Sequence, residues 1–329
     1  MKTDLFVKML AICILMMTSW ACQDVSDLDD RNEVQTPSKV KLTVVVPVHE
    51  TKLTSNGDEG HISNYQVYIF DDGGVLESYV NQASSDIVLD CTAGTKTVAV
   101  LANAPAIRDV TSLSVLTAKT SSLADNGSGA LIMAGQQAVT VSADKEVTVS
   151  VSRLVAKIRL SELQVSFEAP QYQNMAFKVS AVYLINVPAV TKYFSAHTPT
   201  IWYNKQKYVS ADANALIYDD MKSVAVTSSS PYKTTNTFYC YPNPAEQDTF
   251  STTWSARHTR LVVEAYLGST LYYYPVTLPE LEKNKVYDVK LTVTRPGTST
   301  PDDEVDKYSA DFTISVKAWE TGASVSEEI

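Results

Sequence analysis

Lys39-Val40-Lys41-Leu42-Thr43-Val44-Val45-Val46-Pro47-Val48 decides the fold. Val40, Leu42, Val44, Val46 and Val48 take alternate positions, with Lys39, Lys41, Thr43, Val45 and Pro47 between them. A period of two predicts a strand with one buried face. Full burial of five aliphatic side chains at about 1.5–3 kcal/mol each stabilises such a strand by at most roughly 8–15 kcal/mol.

Downstream, the polar stretch His49–Asn64 breaks the alternation at Asn56-Gly57 and Gly60. Tyr65–Phe70 resumes it, and Asp71-Asp72-Gly73-Gly74 predicts a hairpin turn into Val75–Tyr79. Asp86–Leu89 and Lys96–Asn103 flank a turn at Gly94, residues 105–125 hold room for one short helix, and Val139–Val141 and Glu146–Val151 close the unit. The run from Lys145 to Phe167 is too long for one strand and predicts a crossing between units at Ser152-Arg153. Beyond it the alternation returns in Ala156–Leu160, Phe177–Val187, Thr237–Tyr241, Leu261–Tyr266, Leu271–Val276, Val286–Thr294 and Phe312–Trp319. Turn residues such as Pro242-Asn243-Pro244, Gly268-Ser269 and Pro296-Gly297 separate them. Many short strands at this spacing predict an all-β chain of two tandem Greek-key β-sandwich domains, residues 39–152 and 153–329, with a minor helix.

Upstream, Lys2 and Lys8 precede the apolar run Met9–Met17 and then Thr18-Ser19-Trp20-Ala21-Cys22. That order is an export signal, residues 1–21, with an apolar run too short to span a bilayer. Ala21-Cys22 resembles the lipobox of bacterial lipoproteins, which makes Cys22 the expected acylation site. Ser19 and Trp20 depart from that pattern, and Cys13 is a rival acceptor preceded by the bulky Ile12. Residues 22–38, with Asp24, Asp27, Asp29, Asp30 and Pro37, read as an acidic tether or as a surface-export leader.

Composition and motif searches exclude several functions. A net charge of −10 with singly scattered Lys and Arg offers nucleic acid no basic face. His49, His61, His197 and His258 are dispersed, and His49-Glu50 lacks the second histidine of a zinc-protease helix because Leu53 stands there. Ala93-Gly94-Thr95-Lys96-Thr97 lacks the upstream glycine of a phosphate loop, and Asp71-Asp72-Gly73 and Asp302-Asp303-Glu304 lack calcium-loop spacing. No Gly-x-Ser-x-Gly elbow occurs. No enzyme, metal or cofactor is therefore expected. Cys91 and Cys240 are expected as buried free thiols in different domains. Trp202-Tyr203 and Tyr272-Tyr273-Tyr274 are the candidate stacking platforms for sugars.

Five segments, in order along the chain, resemble the fimbrillin family, the type V pilins of anaerobic Gram-negative bacteria. They are Tyr65–Asp71 with Gly74–Glu77, Ala93–Asn103, Arg153–Ile158, Asn284–Gly297 and Ile314–Trp319. The resemblance implies transthyretin-like sandwiches in a non-enzymatic subunit of a surface fimbria. It implies a transport form tethered to the outer membrane at Cys22 by the lipoprotein export and acylation machinery. A surface maturation protease would then remove the first strand. On this reading Val40, Leu42, Val44, Val46 and Val48 plug a groove, and a C-terminal donor segment of another pilin subunit takes their place. The donor region expected here is Phe312, Ile314 and Val316 with Ala323, Val325 and Ile329. The chain departs from the family at the processing point. His49–Asn64 contains no arginine, leaving Lys52 as the expected cleavage site; without cleavage the role becomes that of an anchor or accessory component. A surface lipoprotein that binds glycans or host ligands through exposed aromatics, as an adhesin, is the alternative.

Overall fold

Alternating side chains become paired strands along nearly the whole described chain. The computed structural model describes residues 38–47, 59–205, 214–233, 235–245, 255–303 and 310–319. Strands hold 56% of its residues and helices 7%, an all-β chain as the alternation predicts. Strands are numbered here in chain order.

Strand β1 (Lys39–Val45) is the middle of three, antiparallel to β4 (Ile87–Thr92) on one side and parallel to β8 (Lys145–Thr148) on the other. Facing this sheet is a five-stranded one, ordered β3 (Leu76–Gln82), β2 (Tyr65–Phe70), β5 (Gly94–Ala102), β7 (Met133–Val141) and β9 (Ser152–Arg153). The β2–β3 hairpin forms where the Asp-Asp-Gly-Gly turn predicts it. Gly74 takes φ 77°, open to glycine at no steric cost, and Asp71 Oδ1 accepts the Val75 N–H at 2.7 Å. Between β5 and β7 lie a helix, α1 (Leu113–Ala118), capped by the Ser112 side chain, and β6 (Thr120–Ser122).

The chain leaves the five-stranded sheet at Arg153 and enters another at Ala156. That second pair of sheets consists of β16 (Asn236–Cys240), β10 (Ala156–Val165), β19 (Lys285–Val293) and β20 (Ala310–Ala318), facing β15 (Tyr218–Val226), β11 (Phe177–Ile185), β17 (Arg260–Leu267) and β18 (Thr270–Thr277). Two short ladders complete the described strands: β12 (Val187–Pro188) with β14 (Trp202–Tyr203), and β13 (Val190–Lys192) with β6. The β6–β13 ladder joins the two sheet pairs by main-chain hydrogen bonds. Tyr241 reinforces it from below: its hydroxyl contacts Ser121 Oγ at 2.7 Å, donates to the Ser122 carbonyl at 2.9 Å and accepts from Asn126 Nδ2 at 3.0 Å.

The apolar interior has separate compartments on the two faces of the five-stranded sheet. Val67, Ile69, Val98 and Val100 face the β1 side, while Tyr68, Phe70, Ala99 and Leu101 face a larger core that continues through the second sheet pair to Trp319. This explains why all six residues of β2 are buried. Strand β15 is one that alternation did not announce. Its pairing with β11 shifts register between Val179 and Ala181, and Lys222 and Ser223 take positive φ.

A close approach beside β7 gives a test of this packing. A Cβ on Gly135 would lie 2.1 Å from the Ser150 carbonyl oxygen, so Gly135→Ala must push the segment leading into β9 away. We expect it to lower unfolding stability by about 1–3 kcal/mol in urea denaturation.

Candidate functional site

The site is the slot that β1 fills. Val40, Leu42, Val44 and Val46 point inward and are 8%, 0%, 1% and 4% exposed. They pack on a floor formed by Tyr65, Val67, Ile69, Val98 and Val100, with Ile87, Cys91, Val141, Val147 and Val149 around them. Between them Lys39, Lys41 and Val45 are exposed and Thr43 is half-buried, so among the described residues nothing covers the outer face of β1. Both edges are bonded. Residues 39–44 pair with 92–87 of β4, and residues 42–45 pair with 145–148 of β8. The Val45 carbonyl accepts the Val149 N–H at 2.9 Å, and Asp144 Oδ1 accepts the Lys41 N–H at 2.8 Å. The strand is thus held on two edges and one face, and among the described residues its outer face is open.

Cys91 lies directly opposite Val40 in the β1–β4 ladder and is buried, as is Cys240 in β16; both are free thiols, as the sequence predicted. Burial pushes the Cys91 thiol up from its ordinary range, with the Glu77 carboxylate adding to the effect. Burial alone pushes the Cys240 thiol up.

Other expected residues fall differently. Phe312, Ile314 and Val316 lie in β20, paired opposite Leu291, Val289 and Tyr287 of β19. Those partners are about 1% exposed or less, whereas Phe312 is 45% and Val316 50% exposed; the core side of β20 is only partly covered, chiefly at Ile314. Cys22, Val48, Lys52, Ala323, Val325 and Ile329 lie outside the described residues. Of the candidate sugar platforms, Trp202 is buried, Tyr274 is wholly inside the core and Tyr273 is buried on the opposite face of β18, where its backbone pairs with Thr298, while Tyr203 and Tyr272 are half-buried. Consecutive residues of a strand point to opposite faces, and here both faces are covered.

A buried ionic cluster that sequence reasoning passed over centres on Glu59. Glu59 accepts two hydrogen bonds from Lys157 Nζ, at 2.7 and 2.8 Å, and one from the Tyr239 hydroxyl. Its backbone carbonyl accepts Arg153 Nε at 3.1 Å. The available signal was Arg153 and Lys157 standing inside the otherwise apolar run Arg153–Ile158, since charges in such a run are buried only when paired.

Residues 38–159 match the family model of the major fimbrial subunit protein (FimA). No curated protein matches the sequence. Among solved structures, a candidate cell adhesion protein from Bacteroides eggerthii DSM 20697 is similar at TM-score 0.67 and 21% identity over 86% of this chain and 97% of that one. A fimbrilin from Porphyromonas gingivalis W83 is similar at TM-score 0.60 and 17% identity over 86% and 99%. A further candidate cell adhesion protein, from Parabacteroides distasonis ATCC 8503, gives 0.62 and 16% over 86% and 99%. At these identities the likeness shows a shared fold.

The two faces of β1 should respond oppositely to truncation. Leu42→Ala, which hollows the slot, is expected to cost about 2–5 kcal/mol of stability. Thr43→Ala on the open face should stay within about 0.5 kcal/mol. Chemical denaturation of the two variants checks the pair.

Proposed function

We propose that this chain, whose residues 38–159 match the major fimbrial subunit family model, is a fimbrillin-type structural subunit of a bacterial surface fimbria that polymerises by strand exchange after its first strand is removed. One observation carries this reading. The strand in the slot is bonded on both edges and buried on one face, yet its outer face is bare. Withdrawing it would leave unpaired backbone groups on β4 and β8 above an apolar floor, which is an acceptor for β-augmentation by another chain. A head-to-tail contact of this kind does not close on itself and builds a fibre.

On this reading the chain is exported as a lipoprotein acylated at Cys22 and held at the outer membrane. A surface protease cuts after Lys52 and frees Val40–Val48. The donor comes from the region Phe312–Ile329 of a neighbouring subunit, and residues 39–152 and 153–329 act as the acceptor and donor domains. The role is mechanical and not enzymatic. Its partners are other pilin subunits, the lipoprotein export and acylation machinery and the maturation protease. With Trp202, Tyr273 and Tyr274 buried and Tyr203 and Tyr272 half-buried, the expected aromatics give a glycan-binding role little support.

The two thiols make the reading testable. In the purified full chain neither Cys91 nor Cys240 should react with a maleimide at pH 7. After cutting at Lys52, confirmed by mass, and addition of a peptide spanning residues 310–329, the β1 fragment should separate on gel filtration. Cys91 should then label transiently until the peptide fills the slot, because a thiol returned to water titrates near pH 8.5 and regains thiolate. Cys240 should stay unlabelled. If the cut fragment stays bound and Cys91 stays protected at every peptide concentration, strand exchange is wrong. Deleting residues 320–329 should likewise abolish oligomer ladders on unboiled gels; unchanged ladders would remove the tail from the donor.

A further inference from the structure

Glu59, Arg153, Lys157, Tyr239 and Trp319 meet in one buried cluster. The Arg153 guanidinium lies 4.5 Å from the centroid of the Trp319 ring and Lys157 Nζ lies 5.3 Å from it, while the Tyr239 ring stacks on the indole at 5.9 Å with an interplanar angle of 16°. The Trp319 N–H donates to the Asn284 carbonyl at 3.1 Å, and Arg153 Nη1 donates to the Asn284 side-chain oxygen at 3.4 Å. Glu59, Arg153, Lys157 and Trp319 are each at most 7% exposed.

The charges explain why these parts depend on one another. Two cations are buried here, and in the cluster the Glu59 carboxylate is the one anion bonded to Lys157, with the face of Trp319 as the other attractive surface. Without the carboxylate, Lys157 would be a buried ammonium whose nearest compensation is an aromatic face, and it would have to move toward water. Its shift would displace the ring it touches, and Trp319 directly precedes residues 320–329 in the sequence. The same carboxylate stands one residue beyond 48–58, the segment containing the proposed cut. We propose that Glu59 is a positioning residue: it ties the end of the β1–β2 connection to the root of the C-terminal tail through one buried ion pair and one indole. Its bearing on assembly rests on the strand-exchange reading. A cut anywhere before Glu59 releases β1 and leaves the tail root fixed, whereas a cut beyond it releases both.

Hydrogen exchange with mass spectrometry on the uncut full chain tests the tie. In Glu59→Gln, amides of Ala156–Leu160 and Ile314–Trp319 should exchange at least about tenfold faster than in the wild type, as expected when one partner of a buried pair is removed. Amides of Val67–Ile69 and Val98–Val100 should change less than about twofold. The double variant Glu59→Gln/Lys157→Met removes both charges and should restore the tail root to within about threefold of the wild type. A uniform rise across both sheet pairs, or an unchanged Ile314–Trp319 segment, would overturn the assignment. If Glu59→Gln does not fold, Tyr239→Phe deletes one hydrogen bond to the carboxylate and keeps the stacked ring; it should show the same local pattern with smaller amplitude, and its absence there overturns the proposal equally. The readout is taken on the monomer before any cut, so the failure of strand exchange and the failure of this tie are separate results.

Discussion

The pairing of β1 on both of its edges governs the first sheet pair. A central strand satisfies backbone groups on two neighbours as well as its own, and buried N–H and C=O groups left without partners cost about 1–3 kcal/mol each. The strand therefore cannot be deleted from a stable molecule, only exchanged for another of similar length and alternation. Its four described inward side chains add at most about 6–12 kcal/mol of apolar burial. The mixed ladder adds direction. A strand entering the same way as β1 restores the antiparallel bonds to β4 and the parallel bonds to β8; one entering the opposite way must rebuild both.

Strand β20 is the counterpart at the other end of the chain, and its situation is unequal to that of β1. It pairs along nine residues with β19 on one edge, and among the described strands none pairs with its other edge. Its core-side residues Phe312 and Val316 remain about half exposed beside fully buried partners. The strand is therefore held by its ladder more than by burial, with its end fastened at Trp319. Strand β1 is held by both, through ladders on two edges and four buried side chains.

Legibility in the sequence follows from how many faces of an element are covered. Lys39–Val48 could be read at once because one face is dry and the other wet. The hairpin at Asp71–Gly74 was legible from turn chemistry. Strand β2 is buried on both faces, so its six residues show composition and no alternation. Strand β15 was missed because Asp219-Asp220 and the positive φ of Lys222 and Ser223 interrupt the period, and a register shift in its partner absorbs the interruption. The ionic cluster was invisible for another reason: Glu59 lies in a polar stretch that reads as loop, and its partners are about 100 and 180 residues away. Sequence spacing carries no signal for contacts of that range.

The two-compartment interior separates the packing of β1 from the core of the second sheet pair. The five-stranded sheet is a wall with Val67, Ile69, Val98 and Val100 on the β1 side and Tyr68, Phe70, Ala99 and Leu101 on the other. Opening the slot exposes only the first set. The second set belongs to the core that runs into the next sheet pair through Leu154, Val155, Ala156 and Ile158, and that core shares no side chain with β1. The chain crosses between the sheet pairs in two residues, Leu154 and Val155, both buried, and the β6–β13 ladder with Tyr241 closes the same junction from the other side. An exchange at the slot thus works against one compartment while the junction stays packed. A filament joined by strand exchange would carry load through the strand seated in the slot, and the packed junction would keep the rest of the subunit from loosening while that strand is replaced.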